Sequence, residues 1–109
     1  MLKDYILQNG GATINANGKP VTLKSGYQLS YKILNCVPVG QLTEILITNI
    51  IKSGLKRGCY AGFWVENGKV YCDLSKRIAT KKQAVAVGKE TGEIAVWDWK
   101  HGCNVYCNA

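Results

Sequence analysis

The chain has 109 residues, 47% of them hydrophobic, and a formal net charge of +7 from 14 basic and 7 acidic residues. That suits a single domain over residues 1–109, long enough to bury a core without staples, and no apolar run reaches the roughly 18 residues that a membrane span needs. The basic excess favours an acidic partner, whether nucleic acid, a nucleotide or an acidic protein surface.

The N-terminal stretch "MLKDYILQNGG" holds one apolar cluster and an early Asp4. It lacks the long apolar core of a signal peptide, so a cytoplasmic location, away from membranes, is expected. "TINANGKPVTL" reads as two extended runs around Asn17-Gly18, a pair that supplies the positive φ of a type I′ turn. Pro20 cannot donate to a ladder and marks an edge strand. In "GYQLSYKIL" the alternation puts Tyr27, Leu29, Tyr31 and Ile33 on one face and Gln28, Ser30 and Lys32 on the other. Pro38 and Gly40 then break the chain. "QLTEILITNIIKSGLKRG" predicts the longer helix, at about 41–56, with Leu42, Ile45, Leu46 and Ile50 at helical spacing. Ile47, Ile51 and Leu55 widen its apolar stripe. Lys52, Lys56 and Arg57 suit its negative end, and Gly58 its stop.

"CYAGFWVENGKVYCDLS" is the strongest hairpin signal. A two-residue turn at Asn67-Gly68 sets Glu66 against Lys69, Val65 against Val70, Trp64 against Tyr71, Phe63 against Cys72 and Gly62 against Asp73. One face then carries Ala61, Phe63, Val65, Val70, Cys72 and Leu74, a core face. The other carries Tyr60, Gly62, Trp64, Glu66, Lys69, Tyr71, Asp73 and Ser75, with a gap at Gly62 opposite Asp73. Thr80 followed by Gln83 is a capping-box pattern that starts a second helix at about 81–90, with Ala84, Val87 and Gly88 inward and Gly92 just past its end. "EIAVWDWK" predicts a strand and "HGCNVYCN" a return strand, with Gly102 at the turn. The expected fold is α+β, a mainly antiparallel sheet built from hairpins with two helices.

"DLSKRIATKKQ" places four cations, Lys76, Arg77, Lys81 and Lys82, within seven residues. Free amides at a helix start together with nearby cations make an anion site. A solvated loop ahead of a capped helix explains the same residues, and Thr80 as cap occupies amides that a phosphate would use. The Tyr60, Trp64, Tyr71 and Asp73 face is open to two readings as well: stacking on a base or a partner, or packing beneath a helix or against another subunit. Trp97 and Trp99 share a strand face, and this much aromatic surface predicts a homo-oligomer. The five cysteines, Cys36, Cys59, Cys72, Cys103 and Cys107, are odd in number and include no C-x-x-C pair, which argues against a disulfide framework. Cys103, Cys107 and the lone His101 lie close in sequence but need a distant fourth ligand to hold zinc. Thiols acting as small hydrophobes explain them more simply. No nucleophile elbow, Walker-type loop or sequence-adjacent carboxylate pair is present, and no enzyme and no cofactor are expected.

The stretches "GFWVENGKVYCDLSKRI" and "KKQAVAVGKETGEIAVWDWKHG" share the layout W-x-x-x-G-x-V-Y-x-D-x-S, then A-x-x-x-G, then G-x-x-A-x-W-D. Here these are Trp64, Gly68, Val70, Tyr71, Asp73 and Ser75, then Ala84 and Gly88, then Gly92, Ala95, Trp97 and Asp98. Over roughly residues 58 to 102 the chain resembles small proteins of phages and prophages. Such proteins often lie among accessory genes, some of which inhibit host defence, as anti-CRISPR proteins and proteins that sequester nucleotide immune signals do. The resemblance implies a non-enzymatic phage or mobile-element binding protein. It would inhibit a bacterial defence system by occupying a nucleic-acid-binding or protein surface, its partner a host defence protein or that protein's nucleic acid. A protein that sequesters a nucleotide signal and a nucleic-acid-binding accessory protein are the alternatives.

Overall fold

The computed structural model describes residues 1–52 and 59–107. Within them the order is α1 (Leu2–Asn9), β1 (Gly11–Ile14), β2 (Tyr27–Pro38), α2 (Glu44–Lys52), β3 (Cys59–Glu66), β4 (Lys69–Ile78), α3 (Lys81–Thr91), β5 (Ala95–Asp98) and β6 (Cys103–Tyr106). The strands form one six-stranded sheet in the order β1-β3-β4-β2-β5-β6, with every neighbouring pair antiparallel. This is the expected α+β fold, with a third helix added. α1 is short and its Met1 N-cap makes no side-chain bond. It is held by burial of Ile6 and ended by Gly10 in the left-handed conformation (φ 72°).

The Asn67-Gly68 turn sets the sheet's register. Asn67 (φ 52°) and Gly68 (φ 75°) both take the positive φ of a type I′ turn. β3 and β4 pair as predicted, from Glu66 facing Lys69 to Gly62 facing Asp73. At Asn17-Gly18 the chain also reverses, but by a different turn. Only Gly18 has positive φ (80°), and Asn15 N–H donates to the Lys19 carbonyl (2.9 Å). The loop has three residues, a type I turn closed by a glycine bulge. Asn15 Oδ1 stabilises it by accepting from the amides of Asn17 and Lys19, each at 3.0 Å. Beyond the turn a single bridge, Ile14 to Pro20, replaces the expected strand, consistent with proline's missing donor.

The alternation read along β2 fails midway. The strand is central, and its register against β4 slips between Ser30 and Lys32 and again between Ile33 and Asn35. Tyr31 and Leu34 are the extra residues of two β-bulges, which bend a strand and raise its twist. Leu29 is buried as expected, but Tyr31 is exposed.

α2 starts at Glu44, three residues later than expected, because Pro38 leads into a 3-10 turn at Val39–Gln41. Thr43 caps the helix, its hydroxyl accepting from Leu46 N–H at 3.1 Å. Its expected C-terminal part, with Leu55, Lys56, Arg57 and the stop at Gly58, lies outside the described residues. α3 matches expectation closely. Thr80 Oγ1 accepts from Gln83 N–H at 3.3 Å and donates to Gln83 Oε1 at 3.2 Å, so the box closes between side chains. Gly92 (φ 76°) ends the helix, with Glu93 N–H reaching back to the Gly88 carbonyl at 2.8 Å. Thr80→Ala should therefore cost roughly 1 kcal/mol, read as a lower urea midpoint at unchanged slope.

All three helices pack on one face of the sheet. α1 and α2 cover a core that includes Ile6, Ile14, Leu42, Ile47, Phe63 and Val70. α3 covers a second core of Leu29, Ala84, Val96 and Cys107. The strands' other side chains point to a face without a helix across it, and that asymmetry positions the site. No helix among the described residues is long and apolar enough to cross a membrane.

Candidate functional site

The uncovered face holds a cleft of about 690 Å³. Its floor follows from the strand pairings, since residues opposite one another in an antiparallel ladder share a face. Thr13 pairs with Gly62, Gly62 with Asp73, Ser30 with Ser75, and Gln28 with Trp97. All of these residues line the cleft, with Trp64, Trp99 and Glu93 at its walls and Tyr5 and Asn9 of α1 at its rim.

A hydrogen-bond chain crosses the floor. Trp99 Nε1–H donates to Gln28 Oε1 (3.0 Å), and Gln28 Nε2–H donates to Ser75 Oγ (2.6 Å). The Ser75 hydroxyl donates in turn to the Tyr60 carbonyl at 3.5 Å, the weakest link. Ser75 is 3% exposed, so this is a buried polar network whose members fix one another. Trp99 is anchored a second time, by its own N–H on the Gly26 carbonyl at 3.0 Å. The neighbouring Ser30 Oγ is buried beside Asp73 with no hydrogen bond of good geometry.

Asp73 lies over Gly62, where an added methyl would meet its carboxylate. Glycine at that position is what gives the carboxyl its place. Burial pushes the Asp73 carboxyl up to about 6, a nearby Ser30 hydroxyl opposes this, and the negative charge of Glu93 adds to it. Burial raises Glu93 as well. Among the described residues neither carboxylate has a basic partner, and the cleft lining contains no lysine, arginine or histidine.

The residues singled out in the sequence divide between surfaces. Trp64 and Asp73 line the cleft, Tyr71 stands exposed beside them, and Tyr60 shares their face. The four cations do not converge. Lys81 and Lys82 flank an exposed surface of α3 with Lys89, while Lys76 is exposed on β4 on the helix-covered side. Arg77 points to the opposite side of β4 and is engaged. Its Nε–H donates to the Ser25 carbonyl (2.9 Å) and its guanidinium to Ser25 Oγ (3.2 Å), across Gly26.

His101 belongs to the β5–β6 turn. Although burial works against it, contacts from His101 and Lys100 hold the Asp98 carboxyl below the usual range. Asp98 Oδ1 accepts from the amides of Lys100 and His101, and Oδ2 lies 2.7 Å from His101 Nδ1. Cys107 is buried beneath α3, and Cys103 is exposed. No protein-family model, curated protein or solved structure matches the chain.

Proposed function

We propose that the chain is a non-enzymatic binding protein whose ligand surface is the uncovered face of its sheet. The observation that carries this reading is the cleft of about 690 Å³, walled by three tryptophans over a hydrogen-bonded floor. Its size falls in the range of small-molecule sites, and fixed polar groups among aromatic walls are what orient a ligand. Ser75 and the single histidine are not arranged as a nucleophile with its base. The Ser75 hydroxyl donates to a backbone carbonyl instead of a base, and Asp98 engages the single histidine in a turn. The use implied by the resemblance, inhibition of a bacterial defence system by a phage or mobile-element protein, is proposed on that resemblance alone.

A second reading has its own observation. Lys81, Lys82 and Lys89 share one exposed surface of α3, which suits a phosphate backbone. The two readings separate in one experiment. Immobilised parent protein, a Trp64→Leu/Trp97→Leu variant and a Lys81→Gln/Lys82→Gln/Lys89→Gln variant are each exposed to bacterial lysate, and the bound material is identified by mass spectrometry. The tryptophan variant should lose most of what the parent retains, and the lysine variant should keep it. Retention lost only with the lysines, with a salt slope flattened by about 0.9 log units per lost phosphate contact, favours nucleic acid. Retention unchanged by the tryptophan variant overturns the uncovered-face reading.

A further inference from the structure

We infer that the cleft binds a small organic cation, an alkylammonium or guanidinium. Its N–H groups would meet Asp73 and Glu93 while its carbon frame lies against Trp64, Trp97 and Trp99. This rests on reading the uncovered face as the binding surface, and it names the ligand's chemistry.

The argument begins with charge placement. The chain has a net charge of +7, yet among the described residues no lysine, arginine or histidine lines its cleft. The charged groups that do line it are two carboxyls, both desolvated and neither ion-paired among the described residues. A partly buried carboxylate without a counterion carries a desolvation cost, and a chain so rich in lysine would relieve it with one substitution on any neighbouring strand. A cationic ligand relieves it from outside. A phosphate-bearing ligand is disfavoured in this cleft, because its charge would face two carboxyls and, among the described residues, no cation.

Two further features select an organic cation over a metal ion. The walls are indoles, whose faces attract ammonium and guanidinium groups and bury their carbon stems. The Ser30 hydroxyl lines the same cleft beside Asp73, and with its proton directed at that carboxylate its oxygen is left to accept from an N–H donor. Gly62 completes the arrangement by leaving space above the sheet where Asp73 lies.

The reading has a pH signature. Charged or titratable groups around Asp73 are Glu93 ahead of β5, Tyr5 of α1, Tyr60 of β3, and Tyr71 and Arg77 on its own strand. Arg77 is engaged by Ser25, so Glu93 is the one charge that acts with Asp73 on a ligand. A cation needs the ionised carboxylate. With Asp73 titrating at about 6, the affinity should rise by about tenfold from pH 5 to pH 7 and then level off.

The test follows the indole N–H signals of Trp64, Trp97 and Trp99 by NMR during titration with butylammonium, butylguanidinium, butanol or butyrate. The expected result is saturable shifts with the two cations at millimolar concentration, little response to butanol or butyrate, and about tenfold weaker binding or worse in Asp73→Asn. Glu93→Gln should weaken binding by a smaller factor. Butanol or butyrate shifting the same signals as strongly overturns the cation assignment and leaves the uncovered face as a binding surface. Silence of these signals to all four probes overturns the assignment as well. A lysine-containing peptide that binds far more tightly than butylammonium, or a second copy of the chain that light scattering shows occluding the face, replaces the small molecule with a protein occupant.

Discussion

Asp73→Asn is expected to make the protein more stable at pH 8 and to leave its stability almost unchanged at pH 3. The folded chain holds this carboxyl up to about 6 from its ordinary 3.8, chiefly by burial. At pH 3 and below the group is largely protonated in both folded and unfolded chains, and it carries almost no penalty. As the pH rises towards 6 the unfolded chain ionises first, and folding must then oppose that ionisation. The stability present at low pH is lost through this window and stays lost above it. Asparagine keeps the shape and never ionises. The gain from the substitution should therefore grow from near zero at pH 3 to a plateau above pH 7. Each tenfold change in acidity corresponds to about 1.4 kcal/mol, so the plateau is on the order of 2 to 3 kcal/mol. Relief of Glu93, whose charge Asp73 opposes, adds in the same direction. Thermal unfolding of both proteins across this range checks it, with a difference of several degrees expected at pH 8. Parallel curves at all pH values would show that the carboxyl is solvated and that no cation is needed to offset it. A stabilising substitution that also removes ligand binding is the trade-off expected where a site holds strain for its function.

Much of this site was legible in the sequence, because the strongest local signal in the chain builds it. Asn67-Gly68 admits one tight turn, and that turn fixes which residues of β3 and β4 share a face. Trp64, Tyr71 and Asp73 follow by counting. The cap at Thr80 and the stop at Gly92 were legible for the same reason, since each is a local device with few alternatives. Gln28 and Ser30 share a face as the alternation predicts, and it is only beyond them, at Tyr31 and Leu34, that two bulges displace the pattern. A bulge leaves little mark on a sequence of ordinary residues, because the sheet context selects it. Glu93 was invisible. It follows a helix stop, and its neighbour Asp73 lies 20 positions earlier, on the far side of α3 in the chain. Only the β4-β2-β5 strand order brings the two to one cleft. The acidity of that cleft was hidden behind the chain's net charge, which describes the whole surface and says nothing of one face.

The remaining large effect concerns what positions Trp97, Trp99 and Asn104. These belong to the β5–β6 hairpin, at the sheet edge opposite β1. The hairpin is held to α3 by Val96 and Cys107, and Cys107 N–H also donates to the Ile94 carbonyl at 2.9 Å. Gly88 lies on the buried side of α3 against both side chains. A methyl added there would meet Cys107 Sγ and lie 3.6 Å from Val96 Cγ1. On an exposed helix Gly→Ala stabilises by about 1 kcal/mol. Here the sign should reverse. Gly88→Ala should cost roughly 1 to 3 kcal/mol, because the sulfur is closed in by the helix and its strand and has to move for the methyl to fit. Cys107→Ala alone should also destabilise, by leaving a small void. The two together should be more stable than the sum of the single losses by at least about 1 kcal/mol, since the new methyl fills the space that the sulfur vacates. Urea midpoints of the four chains give this coupling directly. If Gly88→Ala stabilises equally with and without Cys107, the hairpin is not wedged under α3, and another contact sets the tryptophan wall. If the coupling appears, Gly88→Ala should also broaden the indole signals of Trp97 and Trp99 more than that of Trp64. The first two lie on the hairpin that the substitution lifts, whereas Trp64 is on β3, held by the Asn67-Gly68 turn.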